Sequence, residues 1–100
     1  MNWPRLWGNI VRIFRHGEKD VAGGVVEIFS KPDCHLCEQA KAILTKMQRR
    51  YCFELREMNI ANDPALLAEY GTRIPLIWVN GRLVCKYQVD QAAVIKALHR

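Results

Sequence analysis

Four residues, Cys34-His35-Leu36-Cys37, carry the spacing in this chain most able to do chemistry. At the first turn of a helix, two cysteines separated by two residues can meet. The unpaired N–H groups and positive dipole end found there favour thiolate over thiol. Cysteines so placed have pKa values of roughly 3.5–7.5 instead of about 8.5. The thiolate is the attacking species in disulfide exchange, and a thiol three positions on can reach back to resolve the mixed disulfide. Cys34 and Cys37 are therefore the candidate catalytic pair. Lys31 adds positive charge nearby, as a protonated His35 would, and Asp33 opposes both. The same spacing also serves structural zinc, which takes four ligands. The remaining candidates, Cys52, Cys85, His16 and His99, form no second close pair. Exchange chemistry leads over a metal site, and no metal ligand is assigned.

The elements that must hold this pair follow from periodicity. Val25, Val26, Glu27, Ile28 and Phe29 make a β-branched, mostly apolar run, as buried central strands do. Ser30, Lys31, Pro32 and Asp33 form a turn. Leu36, Ala40, Ile43, Leu44 and Met47 then line one face of a helix, with Lys41, Lys46, Gln48 and Arg49 mostly elsewhere. Residues 52–58 alternate as a half-exposed strand does, with Cys52 a small core residue at its start. Asp63-Pro64 opens a short helix that Gly71 ends after Tyr70. Leu76, Ile77, Trp78 and Val79 face Leu83, Val84 and Cys85 across Asn80-Gly81, a strong hairpin signal. Asp90 caps a last helix built on Ala93, Val94, Ala97 and Leu98. The order is β-α-β-α-β-β-α, with the first two strands parallel through a right-handed crossover. Pro75 just before the hairpin reads as functional, because proline in a strand-like approach otherwise demands an edge or a bulge.

One hundred residues suffice for one compact domain. The formal net charge is +5, but residues 1–17 hold Arg5, Arg12 and Arg15 with no acidic residue. From residue 24 onward eleven Lys/Arg face eight Asp/Glu. A nucleic-acid binder spreads basic charge over a face of its core, so no nucleic acid is expected as a partner. Residues 1–23 read as an N-terminal amphipathic basic helix and linker, and residues 24–100 as the domain proper. In the helix, spanning 1–17, Trp3, Leu6, Trp7, Ile10, Val11 and Phe14 make the apolar stripe. That stripe fits packing on the domain, self-association, or a membrane surface. Arg12 and Arg15 interrupt the apolar stretch that a secretory signal needs. The expected compartment is therefore the reducing cytoplasm, in one version peripheral at a membrane. Four cysteines there are more often working thiols than staples.

These motifs resemble the glutaredoxin branch of the thioredoxin superfamily. The resemblance rests on Lys31-Pro32-Asp33-Cys34-His35-Leu36-Cys37, on Ala68-Glu69-Tyr70-Gly71-Thr72-Arg73-Ile74-Pro75, and on Asn80-Gly81-Arg82. Within that branch the phrases are similar to a small Cys-His-Leu-Cys glutaredoxin-like group. The likeness covers about residues 25–98. It implies a thioredoxin-like α/β fold with a four-stranded mixed sheet, order 2-1-3-4, and flanking helices, here with the extra N-terminal helix. It implies that Cys34 is the exposed nucleophile, Cys37 the buried resolving thiol, and Ile74-Pro75 a cis peptide facing them. The backbone of Ile74 then pairs with an extended substrate. Lys31, His35, Leu36 and Asp90 complete the implied substrate-binding set, and Cys85, near the end of the final strand, stands as core residue or third redox thiol. Two features depart from the family. Members carry Gly-Gly after the last strand, where this chain has Lys86-Tyr87-Gln88-Val89-Asp90, and Leu36 stands where tyrosine is usual. Glutathione is thus a candidate co-substrate and no cofactor is expected to be bound.

The expected function is dithiol oxidoreduction of a protein or small-thiol disulfide. Two alternatives from other classes are a non-catalytic thioredoxin-fold adaptor and a metal or iron–sulfur carrier, either one targeted by the N-terminal helix.

Overall fold

A β-branched run needs backbone partners on both sides before it can be buried, and residues 25–30 find them. The computed structural model describes residues 11–14 and 23–99. In chain order its elements are β1 (Val11–Phe14), β2 (Val25–Ser30), α1 (His35–Met47), β3 (Glu54–Asn59), a 3-10 turn (Ile60–Asn62), α2 (Pro64–Tyr70), β4 (Leu76–Val79), β5 (Arg82–Lys86) and α3 (Gln91–Leu98). β2 runs parallel to β3, from Val25 beside Glu54 to Ser30 beside Asn59. On its other side it runs antiparallel to β4, from Val26 beside Val79 to Phe29 beside Leu76. β4 turns into β5, and the sheet order is β1-β3-β2-β4-β5. Its last four strands reproduce the expected 2-1-3-4 arrangement.

The first strand is a correction. Val11–Phe14 pairs antiparallel with β3, Val11 beside Met58 and Phe14 beside Leu55, and is not helical. Val, Ile and Phe are good strand formers, and the outer edge of β3 offers unpaired backbone groups. The rest of the helix expected over residues 1–17 lies outside the described residues, as does His16.

Strand alternation divides the side chains between two faces. Val26, Ile28, Leu55, Ile77 and Val79 share one, packed under Ala40, Leu44 and Met47 of α1 and Val94 and Leu98 of α3. Phe29, Met58 and Leu76 share the other, with Ile60, Leu66, Ile74 and Cys37. Each fully buried Leu or Ile contributes roughly 1.5–3 kcal/mol. The helix α1 ends on Gln48, whose side chain is buried and donates to the Phe53 carbonyl at 2.9 Å, fixing the return to β3. That strand begins at Glu54, so Cys52 precedes it, half-buried.

Short-range chemistry sets the remaining ends. Asp63 caps α2, its Oδ1 accepting from the amides of Ala65 at 3.0 Å and Leu66 at 3.1 Å, with Pro64 in the first turn. Asn80 and Gly81 have φ of 49° and 87°, the two positive values that a type I′ hairpin requires. Asn80 also accepts at Oδ1 from the Val25 amide at 2.9 Å, tying the hairpin to the start of β2.

Candidate active site

The loop after β2 delivers Cys34 to the start of α1. Asp33 turns the chain with φ of 62°, a conformation that Asp tolerates better than most residues. Cys34 is the N-cap of α1, and its Sγ accepts from the Cys37 amide at 3.1 Å. Cap residues usually offer an oxygen to that orphan N–H; here a sulfur takes the place. Cys34 and Cys37 are joined by a disulfide, with Cα atoms 5.1 Å apart. Cys37 is fully buried against Phe29, Met58 and Ile74, and Cys34 packs half-buried at the border of the same cluster.

The peptide between Ile74 and Pro75 is cis, and both residues are buried. Because Ile74 belongs to the cluster that holds Cys37, the loop and the cysteine pair meet over one end of the sheet. Beneath them lies an aromatic trio. Phe29 is 5.6 Å from Tyr70 and 5.2 Å from Trp78 between ring centroids, and Tyr70 and Trp78 meet edge-on at 6.2 Å. Such contacts prefer tilted geometries and fix ring positions. Burial pushes the Tyr70 hydroxyl up, the charge of Glu69 adds to this, and Arg73 works against it.

The other expected site residues are more open. Lys31 is half-buried, and Leu36, at 38% exposure, presents its side chain to solvent. His35 is exposed, with the Gln39 amide donating to its Nε2 at 3.1 Å. Asp90 is committed locally: its Oδ1 accepts from the Ala93 amide at 3.1 Å and caps α3. Cys85 lies elsewhere, in the cluster under α1 and α3, beside Ile77. Burial raises its thiol pKa. The Asp90 amide, donating to Sγ at 3.4 Å, lowers it, and the Asp90 charge raises it again, for a net upward shift. A thiol so held is a poor nucleophile. Among the described residues no three of His, Cys, Asp and Glu group as metal ligands. No helix there is long and apolar enough to cross a membrane.

Sequence reasoning missed a polar cluster one turn behind the pair. Lys41 stands four residues after Cys37, so the two share a face of α1. Its Nζ donates to Glu57 Oε2 at 2.9 Å and pairs with Glu38 Oε2 at 2.9 Å. Glu57 Oε2 also accepts from Ser30 Oγ at 3.0 Å. Glu57 is only 9% exposed and Ser30 is buried. Burial pulls the Lys41 ammonium down, but bonds to Glu38 and Glu57 and their charges outweigh it, leaving its pKa above the ordinary lysine value. The available signal was register: Glu57 falls on the same side of β3 as Leu55, an inward position, which calls for a buried partner.

Comparison with known proteins decides the kinship. Residues 25–99 match the glutaredoxin-like domain (DUF836). The chain belongs to the glutaredoxin-like family. This glutaredoxin-like protein is similar to uncharacterized proteins of Mycobacterium tuberculosis and Mycobacterium bovis, 24% identical over 71 residues that cover 66% of this chain and 73% of each relative. Among solved structures, it resembles a protein of Nitrosomonas europaea determined by solution NMR, with TM-score 0.69 and 26% identity, over 82% of this chain and 99% of that one. An X-ray structure from X. campestris aligns with TM-score 0.55 and 30% identity, over 69% of this chain and 88% of the other. The glutaredoxin-like assignment brings with it a thioredoxin fold of redox type. Just after β5, Tyr87 stands with φ of 71°, a backbone conformation natural to glycine.

Proposed function

We propose that this glutaredoxin-like protein is a dithiol thiol–disulfide oxidoreductase. The Cys34 thiolate attacks a substrate disulfide, forming a Cys34–substrate disulfide and releasing the other substrate sulfur as thiolate. Cys37, deprotonated in turn, attacks the Cys34 sulfur, forming the intramolecular disulfide and releasing the second substrate thiol. The substrate gains two electrons and the protein loses two. An external thiol reductant restores the dithiol; glutathione is the candidate that the family resemblance implies, with Lys31 and Asp90 as the residues that would meet it. Substrates are protein or small-thiol disulfides, bound along the Ile74-Pro75 loop with His35 and Leu36 at the rim. Cys85, buried among apolar side chains, takes no part.

The observation that carries the reading is the cap itself: the Cys37 amide donates to the Cys34 sulfur at 3.1 Å. That bond strengthens when the sulfur is charged, and the helix end adds its positive potential. Cys34 is therefore expected to alkylate with iodoacetamide at half-maximal rate well below pH 8, and Cys34→Ser to abolish exchange. Cys37→Ser should accumulate the mixed disulfide, visible as a mass adduct. A redox titration with peptide mapping in which Cys34 and Cys37 never pair would overturn the proposal. Alkylation with an ordinary thiol profile, near pH 8.5, would leave the fold as an adaptor.

A further inference from the structure

Three non-glycine residues take positive φ among those described: Asp33 at 62°, Asn80 at 49° and Tyr87 at 71°. Asp and Asn enter this region with local hydrogen bonding to help them, and these two sit in a tight turn and a hairpin. Tyrosine has no such aid, and its Cβ is crowded there. Burial of the ring does not compensate, since Tyr87 is 46% exposed. Among the described residues its ring meets no other ring. Backbone strain of this kind is concentrated at ligand-binding positions.

Tyr87 is held in place by the site. Its amide donates to the Pro75 carbonyl at 2.8 Å, and the next amide, Gln88, donates to the Lys86 carbonyl at 2.7 Å. The loop after β5 is thus tied to the Ile74-Pro75 loop, which packs beside the cysteine pair. The ladder gives the spacing. Lys86 lies beside Leu76, and Leu76 beside Phe29 near the end of β2. Tyr87 therefore stands two strand spacings from the end of β2, about 10 Å, or roughly three residues of extended chain.

We propose that Tyr87 is a specificity-determining residue for polypeptide disulfides. Its ring is a platform for an apolar or aromatic side chain two to four residues from the reacting cysteine of an extended substrate. The inference rests on the oxidoreductase reading above and deepens it by naming the substrate class. The chemistry is unchanged, with Cys34 forming the new S–S bond to the peptide sulfur and the peptide's former partner leaving as thiolate.

A peptide panel tests it. A single cysteine, as a mixed disulfide with 5-thio-2-nitrobenzoate, is placed in a Gly/Ser parent and in versions carrying one Phe two, three or four residues away on either side. Pre-reduced protein is mixed with each peptide, and released thionitrobenzoate is followed in a single turnover, which needs no recycling reductant. Ring contacts of ordinary strength predict the best Phe peptide reacting about 3- to 10-fold faster than the parent. Tyr87→Phe keeps that ratio. Tyr87→Asn, which accepts the backbone conformation without the ring, and Tyr87→Gly bring it to about one. Both relieve the crowded backbone, and thermal melts no lower than that of the parent protein show them folded. A parent protein indifferent to Phe at every position, or a Tyr87→Asn protein that retains the preference, overturns the inference while leaving the exchange reading intact. No thionitrobenzoate released from any peptide, nor from the symmetric small disulfide, overturns both.

Discussion

Replacing Lys41 with methionine keeps a long side chain and removes the ammonium between Glu38 and Glu57. The two contacts differ in weight. The Glu38 side chain is 64% exposed, so water screens that pair and it contributes little. The Glu57 side chain is 11% exposed, and its Oε2 is held by Lys41 and Ser30 under α1. Removing one partner of a fully buried pair costs about 3–5 kcal/mol. With the Lys41 side chain 23% exposed, water reaches the ammonium, and the expected cost falls to about 2 kcal/mol. For 100 residues each 1 kcal/mol moves Tm by about 4–8 °C, so Lys41→Met should melt about 8–16 °C lower. Circular dichroism during heating, and urea denaturation at pH 7, measure this on the reduced protein. A cycle with Glu57→Leu sharpens the test. Once the carboxylate is gone the methionine costs no ion pair with Glu57, so the double variant should be more stable than additivity allows by about 1 kcal/mol or more. A Lys41→Met protein within about 0.5 kcal/mol of the parent, the range of ordinary surface changes, would refute the reasoning, as would strictly additive losses.

Two further expectations concern stability. Lys41, Tyr70 and Cys85 all have folded pKa values above their ordinary ones, so each keeps its proton longer folded than unfolded. Their contribution is whole below the unfolded values and is lost as pH rises through the folded ones. Urea midpoints of the reduced protein should therefore decline from about pH 8.5, where an unfolded cysteine titrates. Cys85→Ala should remove the earliest part of that decline, and midpoints that rise between pH 8.5 and 10 would contradict the assignment. At the hairpin, Asn80→Ala loses both a tolerated positive φ and the bond from the Val25 amide, at a cost of about 1–2 kcal/mol in urea denaturation. Asn80→Gly loses only the bond, and its smaller loss separates the two contributions.

Features governed by short spacing were legible from the chain. The α1 stripe of Ala40, Leu44 and Met47 packs as its period requires, and Asn80-Gly81 makes the hairpin that its φ preferences dictate. The placement of Cys34 at a helix start was readable for the same reason, since strand, turn and helix follow within a few residues. Val11–Phe14 was not, because four residues that fit a helical stripe also fit a strand, and the choice was made by the β3 edge more than forty positions away. Glu57 is a second case: alternation marks it as inward, but only the fold brings Lys41 and Ser30 to meet it. The Tyr87 backbone runs against the preference of its own residue type, so no local rule points to it.

The outer strand β5 also bears on how copies of this protein treat one another. Among the described residues it pairs on one side only, so its far side offers a row of unused backbone groups of the kind that recruits foreign strands into aggregates. Its ends carry exposed Arg82 and Lys86, and the ladder beside it is broken by a register shift between Ile77 and Trp78. Like charges at both ends and a locally increased twist give an incoming strand no flat, neutral edge to extend. At the β5 edge the hairpin thereby disfavours strand pairing between copies of this protein.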